Sequence, residues 1–201
     1  MDANTTLNRG SEIPEPNITR FLFADRRMAP VWLLVRVYLG YLWLAEGIGK
    51  IMEGGWIGAG AGGAVKGFAQ GALQQTGGEH PQVTGWYAGF LENVVIPNAA
   101  LFSYLVTFGE ILVGLGLIAG LFTGIAAFFG AFMNASFIFA GTAGANPLMF
   151  IMAILLMLAW RVAGYWGLDR WMLPAIGVPG YPGTALRARR SGGIGQRSRV
   201  Q

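Results

Sequence analysis

Residues 99–160 read AALFSYLVTFGEILVGLGLIAGLFTGIAAFFGAFMNASFIFAGTAGANPLMFIMAILLMLAW, and Glu110 is the one charged residue among them. A single helix of this length would extend about 90 Å, three times the ~30 Å of a bilayer's hydrocarbon. The run must therefore fold back twice. Turn signals stand at Gly120-Leu-Phe-Thr-Gly124 and at Gly141-Thr-Ala-Gly-Ala-Asn-Pro147. They predict helices at about 99–120, 123–141 and 147–165. Upstream, residues 30–51 form a further apolar stretch, with Pro30 in the first turn, where its missing N–H costs no hydrogen bond. The expected fold class is all-α, an integral membrane four-helix bundle.

Composition agrees. Of 201 residues 54% are hydrophobic and 12% charged, and the mean hydropathy is +0.49. A soluble domain carries about 25% charged residues, and a soluble bundle needs a polar outer face on each helix. The last three apolar segments have almost none. Many of the 32 glycines sit within apolar segments, as in membrane helices that approach closely. Cysteine is absent, which excludes disulfides, thiolate nucleophiles, iron–sulfur clusters and covalently attached haem. The single histidine, His80, cannot make a bis-histidine haem site and reads as a solvated loop residue. No haem, metal or nucleotide motif is present, and no nucleic-acid partner is expected. The eight methionines read as packing. Trp32, Trp43, Trp86, Trp160, Trp166 and Trp171 suit interfacial belts.

The chain divides into an N-terminal segment (1–28), a membrane domain (29–167) and a basic tail (168–201) expected to be largely disordered. The run Phe21–Arg27 suggests a short interfacial helix, and the first apolar stretch is not followed by a signal-peptide cleavage pattern. Between the first two spans, residues 53–97 read as an outer loop with short interfacial helices. Arg9, Arg20, Arg26 and Arg27 precede the first span. Arg161, Arg170, Arg187, Arg189, Arg190, Arg197 and Arg199 follow from the end of the last, whereas the long loop has only Lys66. Four crossings put both ends on one side, and the excess of arginine makes that side cytoplasmic. The expected setting is a multi-pass protein of the plasma membrane, with the lipid bilayer as its first partner.

Ionisable residues within membrane helices are costly and face the bundle interior, paired. Arg36, Gly40, Trp43, Gly47 and Lys50 recur along one helical face. Glu46 can pair with Lys50 one turn on. Counted from the cytoplasmic side, Arg36 lies about 9 Å in and Glu110 about 16 Å in. An arginine side chain spans that offset, so Arg36–Glu110 is the expected buried pair, with Asn134 at the depth of Glu110 to complete the network. Two readings stay open at this point. One is a polar lock that fixes helix packing, with Lys50 snorkelling to the outer headgroups. The other is an outward-opening cavity lined by Trp43, Glu46, Lys50 and Glu110 that takes a polar or anionic small molecule.

These same residues carry a family resemblance. LeuLeuValArg36-ValTyrLeuGly40 with Gly47-Ile-Gly-Lys50 resembles the first helix of DoxX-type membrane proteins, and PheGly109-Glu110-IleLeuValGly resembles their second. PheMetAsn134-AlaSerPhe, Ala145-Asn-Pro147 and AlaTrpArg161-ValAlaGlyTyrTrpGlyLeuAsp169 are similar to the DoxD-like branch. The resemblance runs from about 20 to 175. It implies a large subunit like that of thiosulfate:quinone oxidoreductase, which joins two thiosulfates into tetrathionate and passes the electrons to a quinone. Glu110 and Lys50 would then be catalytic, with Arg36, Trp43, Glu46 and Asn134 around substrate or quinone. A small second subunit is implied as partner, and oligomers are compatible with it. The alternative is a non-catalytic membrane anchor for a soluble redox partner. A small transporter stands third, since internal repeats and paired broken helices are missing.

Overall fold

The structure, a computed structural model, describes residues 15–178. The expectations for residues 1–14 and 179–201, including most of the arginine-rich tail, lie outside them. Among the described residues all regular structure is helical and there is no strand. In chain order the helices are α1 (Asn17–Ala24), α2 (Ala29–Met52), α3 (Gly63–Leu73) and α4 (Gly85–Phe90), the last running into a wider turn at Leu91–Val95. There follow α5 (Ala99–Ala119), α6 (Thr123–Phe139), α7 (Asn146–Leu158), α8 (Trp160–Ala163) and α9 (Asp169–Ala175).

Among the described residues two helices are long and apolar enough to cross a membrane: α2 with its preceding turn, 27 residues from Arg26, and α5, with 21. α6 and α7 are apolar but shorter, at 17 and 13 residues. α7 stops at Leu158, well short of the expected 165. Ala159 leaves the helical conformation, and α8 follows it as a separate short helix. The physical reason lies just downstream. The backbone N–H of Leu168 donates to Ala119 O at 3.1 Å and that of Asp169 to Gly120 O at 2.7 Å. To reach those carbonyls, left without partners by the end of α5, the chain must turn under the α5–α6 corner. The tail expected to begin at 168 accordingly starts with an ordered helix, α9, whose Leu173 is buried.

α2 packs most extensively against α5, and α6 against α7. The α2–α5 seam is set by small residues. A Cβ placed on Gly114 would lie 2.7 Å from Leu44 N, and one on Gly47 would lie 3.0 Å from Ile111 N. Backbone therefore rests on backbone, a contact that only glycine allows. Trp32, Leu39 and Trp43 of α2 join Leu117, Ala127, Ala153 and Leu156 in the main core. Trp43 is thus an interior residue and not part of an interfacial belt.

The 53–97 segment is a cap with a core of its own. Val65, Ala69, Tyr87, Leu91 and Val95 pack together with Ala99 and Ala140 at the ends of α5 and α6. The Tyr87 hydroxyl donates to Ser136 O at 2.7 Å, and the Ser103 hydroxyl donates to Trp56 O. At the opposite end, α1 is tied back by Trp32, whose indole N–H donates to Leu22 O at 2.7 Å. Asp25 accepts from both the backbone and the guanidinium of Arg27. That bonding holds its carboxyl down to about 2, so Asp25 stays charged and neutralises Arg27.

Gly114→Ala should force α2 and α5 apart and lower stability by about 1–3 kcal/mol. Gly67→Ala, at an exposed α3 position with open space around it, should be neutral or stabilise by up to ~1 kcal/mol. Thermal unfolding of the two variants in detergent checks the contrast.

Candidate functional site

Close approach of α2 to α5 at Gly47 brings the last turn of α2 against Glu110, whose Cβ lies within 3.2 Å of where a Gly47 side chain would begin. One turn further along α2, Lys50 Nζ lies 2.9 Å from Glu110 Oε2 and 3.5 Å from Glu46 Oε2. Glu110 is 1% exposed, the Lys50 side chain 13% and the Glu46 side chain 67%. The three form a graded chain from the surface into the bundle. Trp56, from the cap, places its ring 5.0 Å from Lys50 Nζ, within range of a cation–π contact.

This arrangement corrects two expectations. Glu110 pairs with Lys50 and not with Arg36, and Lys50 does not reach out to headgroups but is held inward. The reason is the roll of α5 against α2. Arg36 and Lys50 sit about 21 Å apart along the helix, and the glycine seam puts Glu110 level with the Lys50 end. The set of three carries a formal charge of −1, since one cation serves two carboxylates. Lys50 is therefore not a spare cation awaiting a dianion.

A second layer lies one turn deeper. Gly130 of α6 faces both the Trp43 indole nitrogen and Val113, and Gly109 faces the sulfur of Met133. Because α5 and α6 run antiparallel, Glu110 and Asn134 each stand one turn from that contact toward the cap. Asn134 thus shares the depth of Glu110, as expected, but it makes no bond to Arg36. Trp43 Nε1, Thr107 Oγ1 and both amide atoms of Asn134 are buried without a hydrogen-bond partner among the described residues. Each such group costs about 1–3 kcal/mol if left unsatisfied, and they are spread along the seam, with Thr107 one turn nearer the cap than Glu110, Asn134 level with it and Trp43 one turn deeper. Thr107 and Trp56 were missed from the sequence. Thr107 has a signal, since it precedes Glu110 by three residues on the same helical face, whereas Trp56 has none.

Arg36 belongs to the other end of the seam. It is 1% exposed, and Nη1 donates to Leu117 O at 2.6 Å and Ile118 O at 3.2 Å. Its charge lies in the field of Asp169, with no direct ion pair between them among the described residues. The Asp169 carboxylate itself accepts from Phe122 N at 2.6 Å and Thr123 N at 2.9 Å, capping α6. Phe122 has a φ of +47°, a strained value for a bulky residue that this bond holds in place. Gly120, at φ +64°, leaves room for the guanidinium, which any side chain there would strike. Arg36 is thus a structural clasp, remote from Glu46, Lys50, Glu110, Trp43 and Asn134.

The family can be read at this point, because residues 31–143, from the start of α2 to the end of α6, match DoxX. The chain belongs to the DoxX family. DoxX is a membrane family, so the long apolar helices of this protein are those of a membrane protein. Both the clasp and the Lys50–Glu110 pair fall inside the matched region, whereas Asp169 falls beyond it. No curated protein and no solved structure matches the chain.

Lys50→Met should destabilise this DoxX protein by about 3–5 kcal/mol, because it strands the buried Glu110 carboxylate, whereas Glu110→Leu leaves Lys50 with Glu46 and should cost less; the double variant should cost less than the sum of the two. Arg36→Met combined with Glu110→Leu should instead be additive within about 0.5 kcal/mol. Unfolding midpoints of the two double-mutant cycles separate these pairings.

Proposed function

We propose that this protein is the membrane subunit of a quinone-linked oxidoreductase, in which Glu110 and Lys50 handle the protons. One observation carries the reading: Lys50 bridges a surface carboxylate, Glu46, and a buried one, Glu110. A buried carboxylate with a charged route to the surface is suited to moving protons between water and a site in the hydrocarbon. Reduction of a quinone by two electrons takes up two protons, and these would pass from Glu46 by way of Lys50 to Glu110. Trp43 and Asn134 offer N–H donors for the quinone oxygens, and Thr107 a hydroxyl.

In this reading α2, α5, α6 and the α7–α8 pair cross the plasma membrane as a four-helix bundle. The cap faces outward, and both chain ends lie in the cytoplasm, as the arginine distribution favours. The DoxD-like resemblance names thiosulfate as electron donor. Two thiosulfates would join through a new S–S bond to give tetrathionate, releasing the two electrons that the quinone accepts. Since Lys50 is shared by two carboxylates, the dianion would be received elsewhere, on the cap or on a small second subunit.

A second reading, a non-catalytic anchor for a soluble redox partner, draws on composition. With no cysteine and one histidine, the chain carries no evident ligands for a haem or cluster of its own. Purified protein should reduce a short-chain quinone analogue with thiosulfate, and Glu110→Gln should lower turnover by about 10²-fold or more while the protein remains folded. Wild-type turnover in that variant would remove Glu110 from the reaction. Stoichiometric co-purification of a soluble protein, with no activity from the membrane chain alone, would select the second reading.

A further inference from the structure

On the face opposite the cap, the turn between α8 and α9 encloses an open cleft of about 380 Å³ lined by Ala119, Tyr165, Gly167, Arg170 and two tryptophans, Trp166 and Trp171. The tryptophans are 55% and 66% exposed, so large amphipathic rings flank an unfilled groove. The Arg170 guanidinium lies 5.6 Å from the centre of the Tyr165 ring, and that of Arg26 lies 5.3 Å from it. Arg170 has no carboxylate within ion-pair distance among the described residues. Asp169, next to it in sequence, is turned inward, with its oxygens on the backbone of Phe122 and Thr123. Among the described residues, Asp25, next to Arg26 in sequence, is taken by Arg27. Positive charge and aromatic surface thus meet in one groove at the end of the α5–α6 hairpin, where apolar helix gives way to polar chain.

We propose that this cleft is a binding site for an anionic phospholipid, whose phosphate sits at Arg170 and whose glycerol and upper acyl carbons lie along Trp166, Leu168 and Trp171. Tryptophan and tyrosine favour the headgroup level of a bilayer, and a cation placed there attracts anionic lipid. A zwitterionic lipid offers the same apolar contacts but brings its own cation to the arginine, so it binds less well. The lipid also has a mechanical role. Gly167 lies against Gly120, and Gly120 against the Arg36 guanidinium, so a lipid seated on this turn braces the clasp at the end of the α2–α5 seam. The site requires only membrane residence and is independent of any redox activity.

The test is native mass spectrometry of the full-length protein in detergent, titrated with phosphatidylglycerol, phosphatidylcholine or inorganic phosphate. Phosphatidylglycerol should remain bound severalfold more than phosphatidylcholine. Arg170→Gln should weaken its retention about fivefold, the factor expected for one arginine near a membrane surface. Trp171→Ala should weaken both lipids alike, and circular dichroism should show both variants folded. Equal retention of the two lipids, or unchanged retention in Arg170→Gln, would overturn the proposal. Displacement of the lipid by inorganic phosphate at equal concentration would overturn it too, because the ligand would then be the free anion.

Discussion

The seam between α2 and α5 governs this molecule. Gly40, Gly47 and Gly114 let the two backbones touch, and at that separation nothing larger than a hydrogen fits between them. Arg36, Lys50 and Glu110 are all arranged by reference to that line. At one end Arg36 reaches across to the terminal carbonyls of α5, and at the other Lys50 reaches across to Glu110. Two long cations on one helix face thus staple the two ends of a single interface. Each answers a different need of the facing helix: carbonyls left over at a helix C-terminus, and a carboxylate that hydrocarbon would not tolerate alone.

The two ends differ in what meets their charges. At the Arg36 end, Asp169 and the α8–α9 turn close the structure. Backbone donors meet backbone acceptors at Ala119 and Gly120, and the carboxylate takes up the first amides of α6. Even so, Arg36 Nε and Thr123 Oγ1 stay buried there without a hydrogen-bond partner among the described residues, as Trp43 Nε1, Thr107 Oγ1 and the Asn134 amide do toward the other end. At the Lys50 end one cation serves two acids, one buried and one exposed. The proposed function is placed at this end because of that link between a buried carboxylate and the surface.

The cap bears on the same point. Its helices build their own small core against the ends of α5 and α6. In doing so they bring the Trp56 ring over Lys50, while the Glu46 side chain stays 67% exposed.

Much of this was legible beforehand because hydrocarbon restricts what a sequence can do. A run with one charge in three membrane thicknesses has to be helical, has to turn where Gly and Asn-Pro occur, and has to turn its few ionisable groups inward. Helical periodicity alone put Arg36, Trp43, Gly47 and Lys50 on one face, and the i,i+4 spacing paired Glu46 with Lys50. What periodicity does not contain is the relative slide and roll of two helices. A shift of a few residues along α5 decides whether Glu110 meets Arg36 or Lys50, and depth counted from the membrane surface is too coarse to choose. That register was set by backbone contact at the glycines. The roles of Trp56 and Asp169, which arrive from segments distant in sequence, likewise exist only once the cap and the α8–α9 turn have folded back onto the helices.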